Sequence, residues 1–267
     1  QGLTGYTVRN AFHHHFDYID KYYTPFIPAA KRMNAKIKRD IDPVNNDGIT
    51  LIPQAMSIVA DEVIDLHRQL VPYGYDEINV NLGCPSGTVV SKKRGSGILA
   101  YPDMLDSFLD ELYTKADFPV SIKTRVGFND DELWPRLIEI YSKYPISELT
   151  VHPRVQKDFY KNTPRMDDFA LAMQKINPDK TILCYNGDIT DTNSFNALTD
   201  CFPDIDEIMI GRGLFANPAL IAELKGISMD KAELRERLKN WHDEILSGYL
   251  SIFSGEKDAM FRMKEIW

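Results

Sequence analysis

A chain of 267 residues, 43% hydrophobic and 26% charged, can bury a sizeable core as one large domain or as one domain with a small appendage. A formal net charge of −8 excludes an overall attraction to nucleic acid and leaves only a local basic patch to supply one. Three cysteines without paired spacing exclude a disulfide framework and point to a reducing, cytoplasmic compartment, and no apolar run reaches the length of a membrane span.

Strand-like and helix-like stretches alternate along the chain. Gln1-Gly2-Leu3-Thr4 is neither a signal peptide nor an initiating Met, so the native chain is expected to begin earlier. An aromatic and β-branched run covers 16–26, and a short strand candidate at 51–55 follows the turn-rich Asp42-Pro43-Val44-Asn45-Asn46-Asp47-Gly48. Further strand candidates lie at 77–82, 120–126, 149–152, 181–185 and 207–210. Between them apolar residues recur at helical spacing, as in Ile58, Val59, Val63, Leu66 and Leu70, in Met104, Phe108 and Leu112, and in Leu133, Leu137, Ile140 and Tyr141. Strands alternating with helices at spacings of roughly 25–40 residues predict βα units in a parallel sheet. Seven such strands predict an α/β fold, a (β/α)8 TIM barrel whose first strand would lie just before Gln1. An open doubly wound sheet fits less well, because no Gly-x-Gly-x-x-Gly follows an early strand. After Ala222 the pattern turns helical: Leu234, Leu238, Trp241, Ile245 and Tyr249 share a face behind a capping-box pattern at Asp230 and Glu233. Ser254-Gly255 then breaks the run before Ala259, Met260, Met263, Ile266 and Trp267. The chain thus divides into a barrel over 1–225 and the start of a C-terminal helical domain over 226–267.

Side chains alternate along strands, so residues i and i+2 share a face. Ile78, Val80 and Leu82 suit the strand–helix interface, which leaves Asn79 and Asn81 facing the barrel interior. Ser121, Lys123 and Arg125 share a face, as do Thr150, His152 and Arg154, then Ile182, Cys184 and Asn186, and Ile52, Gln54 and Met56. Charged and amide groups thus converge on the carboxyl ends of the strands, where parallel α/β proteins bind ligands. Gly83-Cys84-Pro85 holds a thiol at the same end. A buried lysine without a partner is costly, so the cluster points to a polar ligand. Two glycine-bearing turns, Asn186-Gly187-Asp188-Ile189 and Gly211-Arg212-Gly213-Leu214, follow the last strands, and Asn217-Pro218 reads as a helix N-cap with proline at the first position. Backbone N–H groups at such turns and helix starts bind phosphate. Other features read as structure: His13, His14 and His15 point about 100° apart on a helix, so they cannot chelate together, and no metal site is expected. Cys184, Tyr22, Tyr23 and Phe26 read as core and Cys201 as incidental.

The motifs Asn79-Val80-Asn81-Leu82-Gly83-Cys84-Pro85, Lys93-Arg94-Gly95-Ser96-Gly97, Ser121-Ile122-Lys123-Thr124-Arg125-Val126-Gly127, Thr150-Val151-His152-Pro153-Arg154, Tyr185-Asn186-Gly187-Asp188-Ile189 and Met209-Ile210-Gly211-Arg212-Gly213 resemble, in order and across nearly the whole chain, the flavin-dependent tRNA-dihydrouridine synthases. The resemblance implies an FMN-containing barrel that reduces the C5–C6 double bond of uridine in tRNA. In that scheme NADPH reduces the flavin, hydride passes from the flavin to C6, and Cys84 protonates C5. It implies Gln54 at the flavin edge, Lys123 beside the flavin pyrimidine ring, where positive charge stabilises the reduced form, and His152 at the flavin. Asn186, Gly187, Asp188, Gly211 and Arg212 match the FMN-phosphate loops, Asn81 lies near the substrate uracil, and Arg154 sits one alternation further out, toward phosphate or substrate. Lys92 and Lys93, beside the cysteine turn, are candidate contacts to tRNA phosphates, in a patch that Lys157, Lys161 and Arg165 would extend.

The chain departs from the family pattern in three places. The family's first strand, ending Ala-Pro-Met, would precede Gln1; the segment 154–169 keeps Lys157-Asp158-Phe159-Tyr160 but lacks its usual glycines; and the tail stops within what is similar to the start of the family's RNA-binding helical domain. The alternatives are a flavin barrel of the dihydroorotate or dihydropyrimidine dehydrogenase type, acting on a free pyrimidine, and a non-catalytic RNA-binding barrel. No membrane, metal or specific protein partner is expected.

Overall fold

The computed structural model describes residues 3–29 and 32–266. Gln1 and Gly2, the expected tail of a first-strand motif, and Trp267 lie outside the described residues. Helix α1 (Tyr6–His15) leads into β1 (Tyr22–Tyr23) and β2 (Ile27–Pro28), two pieces of one extended segment. Helix α2 (Ala35–Ile41) starts where the Asn34 side chain accepts from Ile37 N. Then β3 (Leu51–Ile52) and β4 (Gln54–Met56) flank Pro53, which has no N–H to give a ladder. Regular alternation follows: α3 (Ala60–Leu70), β5 (Ile78–Leu82), the short α4 (Gly87–Val90), α5 (Pro102–Lys115), β6 (Val120–Gly127), α6 (Trp134–Tyr141), β7 (Glu148–Val155), α7 (Met166–Lys175), β8 (Ile182–Tyr185), α8 (Thr192–Cys201) and β9 (Glu207–Ile208). The chain ends in α9 (Arg212–Ala216), α10 (Leu220–Leu224), α11 (Lys231–Ile252) and α12 (Glu256–Met263).

Seven strands form one sheet in the order β2-β4-β5-β6-β7-β8-β9, and each paired neighbour is parallel. The β1–β3 pair, also parallel, lies just upstream of β2 and β4. Register decides what meets at the strand ends: Asn81 stands beside Lys123, Lys123 beside Thr150, and Arg125 beside His152. Outward-facing Val80, Ile122, Leu149 and Leu183 pack against the apolar stripes of the surrounding helices, among them Leu66, Leu109, Leu137 and Phe169.

The structure differs from the expected elements at three edges. Phe16 is not in a strand; it is buried in a second apolar cluster with Val8 and Phe12 of α1, Trp241, Ile245 and Tyr249 of α11, and Met263 of α12. The strand expected to stop at His152 continues through Pro153 and Arg154 to Val155, with a register irregularity against β6 between His152 and Val155. Asn217 closes α9 as its C-cap; its backbone is extended and its Oδ1 accepts from Ala219 N at 3.1 Å, but the regular helix α10 begins at Leu220 rather than at Pro218. The three histidines are divided between two carboxylates, His13 on Asp17 and both His14 and His15 on Glu244, each at 2.8 Å. The helices after 226 therefore share a core with α1. No helix among the described residues is long and apolar enough to cross a membrane.

Candidate active site

A cavity of about 610 Å³ is lined by the carboxyl ends of the central strands and the loops after β8 and β9. Cys84, 2% exposed, lies in its wall. The cysteine turn is held from four directions. Asn81 Oδ1 accepts from the N–H groups of Gly83 (3.1 Å) and Cys84 (2.9 Å). The Cys84 carbonyl accepts from Ser96 N at 3.1 Å and Ser96 Oγ at 2.8 Å. The Gly83 carbonyl accepts from Arg125 Nε at 3.0 Å, and the Pro85 carbonyl from Gln156 Nε2 at 2.9 Å. Gly95 sits at φ +55°, and a Cβ there would stand 2.7 Å from the Cys84 carbonyl oxygen, so the position needs glycine.

The interior amides form one chain that satisfies their buried polar atoms. Asn81 Nδ2 donates to Gln54 Oε1 (2.7 Å), Gln54 Nε2 to Asn79 Oδ1 (2.9 Å), and Asn79 Nδ2 to Ser121 Oγ (3.1 Å). Asn81, expected at the substrate, therefore also anchors the thiol-bearing turn.

Next to this chain the wall is cationic. Lys123 Nζ donates to Asn186 Oδ1 at 2.6 Å, a neutral acceptor, and Asn186 is oriented by giving Nδ2 to the Met209 carbonyl at 2.8 Å. Burial first, and then Arg125, push the Lys123 ammonium down to about 8. Among the described residues no carboxylate pairs with it. His152 is pushed far below the usual histidine range by burial and by Lys123, Arg125, Arg154 and Arg212, which keeps it neutral. Arg154 Nη1 donates to His152 Nε2 at 3.1 Å, so the ring proton is assigned to Nδ1.

Arg125 and Tyr160 line this wall without having been singled out from the sequence as site residues. Arg125, 1% exposed, spends its guanidinium on three carbonyls: Gly83 through Nε, Val155 through Nη1 at 2.9 Å and Phe159 through Nη2 at 2.7 Å. The Tyr160 ring lies 4.5 Å from the Arg212 guanidinium and 5.5 Å from that of Arg125. The signal for Arg125 was its shared face with Lys123, and for Tyr160 its place in the Lys157-Asp158-Phe159-Tyr160 stretch.

Arg154 is placed differently from the expectation. It is 1% exposed, lies outside the cavity lining, and grips Asp188 with both Nη atoms while also bonding the Asn162 carbonyl. Asp188 is held well below the usual carboxylate range by Arg154 and then Arg212, whose Nη2 reaches it at 2.6 Å. Asp188 and Arg212 stay on the cavity with Gly187 and Gly211. A Cβ on Gly187 would stand 2.0 Å from Tyr185 Oη, and one on Gly213 2.2 Å from the Ile189 carbonyl, so both turns need glycine for close packing. Gly211 caps α9: its carbonyl accepts from Leu214 N at 3.1 Å, and the N–H groups of Arg212 and Gly213 precede that first bond of the helix. Lys92 and Lys93 are exposed and lie outside the cavity lining; Lys93 has φ 57° and its ammonium sits 4.4 Å over the Tyr101 ring. Arg165 is neutralised by Asp131 at 2.9 Å and by Asp158, which removes it from the expected basic patch.

At the other end of the same cavity the charges close on one another. Lys21 Nζ bonds Glu148 and, at 3.0 Å, Glu207, while Tyr23 Oη and Thr150 Oγ1 donate to Glu148 at 2.9 and 2.7 Å. Glu148, Cys184 and Glu207 approach closely enough to hold a metal ion, but the Lys21 ammonium bonds both carboxylates. Burial, then Glu148 and Glu207, push the Cys184 thiol far up.

A parallel sheet with its ligand cavity at the carboxyl ends of the strands is the arrangement found in TIM-barrel enzymes. The structure is similar to the crystal structure of DHDPS from Cyanidioschyzon merolae with lysine bound, at a TM-score of 0.52 and 12% identity over 97% of this chain and 80% of that one, a likeness of fold. The family model described as "Dihydrouridine synthase (Dus)" matches residues 3–253, and the chain belongs to that family. It is 32% identical over 203 residues to a "Probable tRNA-dihydrouridine synthase" of Staphylococcus aureus, covering 74% of this chain and 58% of that protein. It is 30% identical over 192 residues to "tRNA-dihydrouridine synthase B" of Shigella flexneri, covering 72% and 58%. The chain thus spans 58% of the length of each of these relatives.

Proposed function

We propose that this protein reduces the C5–C6 double bond of a uridine in tRNA to dihydrouridine, with FMN in the cavity and NADPH as reductant. The observation that carries the reading is a buried ammonium, Lys123, facing a neutral partner in the cavity that also holds the fixed thiol of Cys84. Family membership and the relatives' names support the substrate.

The residues fit a flavin mononucleotide. The volume of about 610 Å³ is ordinary for a small-ligand site. At the mouth Lys123, Arg125 and Arg212 outweigh Asp188, a local excess that suits an anionic phosphate and an electron-rich ring, whereas at the base Glu148 and Glu207 balance Lys21. The Gly211 turn, open where a Cβ would stand, and the Gly187 turn beside it on the cavity offer backbone N–H groups to the phosphate. When bound and reduced by NADPH, the cofactor supplies hydride to uracil C6.

The chain's own residues do the rest. Cys84 Sγ–H gives its proton to C5, and the four hydrogen-bonded anchors of its turn remove the orientational cost of placing it. Lys123, still protonated at neutral pH with a value of about 8, places positive charge beside the flavin. Gln54, fixed by Asn79 and Asn81, and neutral His152, carrying its proton on Nδ1, orient the ring. Arg212, steered by Asp188, meets the phosphate. Exposed Lys92 and Lys93 meet tRNA phosphates, and residues 226–267 begin the helical RNA-binding part.

The test is the visible spectrum of the purified protein with identification of any released chromophore, followed by assay of dihydrouridine in an unmodified tRNA transcript after addition of NADPH. Bound FMN and new dihydrouridine are expected. A protein that cannot take up FMN overturns the reading. A flavoprotein that turns over free uracil or dihydroorotate and leaves tRNA unchanged replaces the substrate with a free pyrimidine.

A further inference from the structure

Phe159 has φ 51° and ψ −93°, a backbone that an L-residue adopts only under strain. Its side chain is 45% exposed, so burial of the ring does not offset that strain. The offset lies beneath it. Asp158, 6% exposed, accepts from Val155 N at 3.0 Å and from the side chains of Asn162 and Arg165. Buried Arg125 binds the Phe159 carbonyl at 2.7 Å with one nitrogen and the Gly83 carbonyl at 3.0 Å with another. A single guanidinium therefore ties the strained residue to the cysteine turn.

A buried network that fixes a strained backbone in order to present a wet apolar ring is built for something that covers the ring. The neighbours indicate its chemistry. Lys157 and Lys161 are exposed on either side, and Tyr160 lines the cavity itself. An aromatic between two cations, one residue from the cavity, matches the way single-stranded nucleic acid is held: a base stacks on the ring and its phosphates lie against the cations.

We propose that Phe159 is the stacking platform for a nucleobase next to the target uridine, holding the single strand so that the uracil enters the cavity. The proposal rests on the tRNA reading above. It makes Phe159 a determinant of substrate affinity rather than of cofactor binding.

The test compares Phe159→Leu, Phe159→Trp and Phe159→Gly in the FMN-loaded protein. The readouts are FMN content, Tm, Kd for an unmodified tRNA transcript by fluorescence anisotropy, and kcat and KM. Phe159→Leu is expected to raise Kd and KM about ten-fold, the loss of one stacked base, with kcat and FMN content held. Phe159→Trp is expected to keep wild-type affinity. Phe159→Gly is expected to weaken binding as Leu does while raising Tm, because glycine relieves the positive φ. Equal Kd for wild type, Leu and Trp, with tRNA still reduced, overturns the platform and leaves the function standing. A wild-type protein that neither binds nor reduces tRNA overturns both.

Discussion

Two lysines and two cysteines line the same cavity and live under opposite electrostatics. At the base, Lys21 is held charged: burial opposes its ammonium, but the bonds to Glu148 and Glu207 outweigh it and raise its pKa. At the mouth, Lys123 faces a neutral amide and an arginine, and its pKa falls to about 8. The base has its counter-charges built in, whereas the mouth leaves room for one to arrive. The thiols divide likewise: Cys184 is pushed up beside two carboxylates, while Cys84 sits in a turn tied to four separate partners. A closed charge cluster supports the fold; an open one is a receptor.

The largest expected break in this contrast is Cys84→Ala. Turnover of tRNA should fall by about 10²–10⁴-fold, with FMN and tRNA binding retained, while Cys184→Ala keeps most of its turnover. Steady-state dihydrouridine formation by the two variants checks this, and equal losses would erase the distinction between the thiols. Next, Lys21→Met should cost about 3 kcal/mol in urea unfolding, because buried Glu148 loses its cation. A cost near zero would mean that the base is not a structural pair. Lys123→Met should do the reverse in FMN-free protein, stabilising it by up to about 3 kcal/mol at pH 7. The sign follows from a depressed pKa on a basic group. The penalty is complete below about 8, shrinks as pH rises, and vanishes near the ordinary value of 10.5. Urea unfolding at pH 7 and pH 10 measures it, and a pH-independent difference would refute an ionisation origin. The same substitution should weaken FMN retention. Smallest of all, charge reversal at Lys92 and Lys93 should weaken tRNA binding several-fold and reduce the salt slope by about 2. An unchanged slope would leave the pair as solvated surface.

The mouth was more legible in the sequence than the base. Period-two alternation alone put Asn79, Asn81, Lys123, Arg125 and His152 on one face, and parallel pairing brought those faces together. The fate of Arg154 was not legible. Alternation placed it on the face of His152, which it bonds at 3.1 Å, but Asp188, 34 residues away, captures its guanidinium, and alternation does not rank competing partners. The base was hidden for a similar reason: Lys21 meets Glu148 and Glu207 across 127 and 186 residues, in a segment whose strand is split into two short pieces. The missing glycines near Phe159 were visible, yet composition alone does not disclose that a positive φ persists there without one.

The union of α1 with α11 carries a cost in time. His14 and Glu244 are 230 residues apart, so at ordinary translation rates the ribosome exposes Val8, Phe12 and Phe16 roughly 10–50 s before their partners emerge. The nascent α1 segment must wait, wet and adhesive, for α11 and α12 to cover it. It is therefore the segment for which chaperones would compete during synthesis.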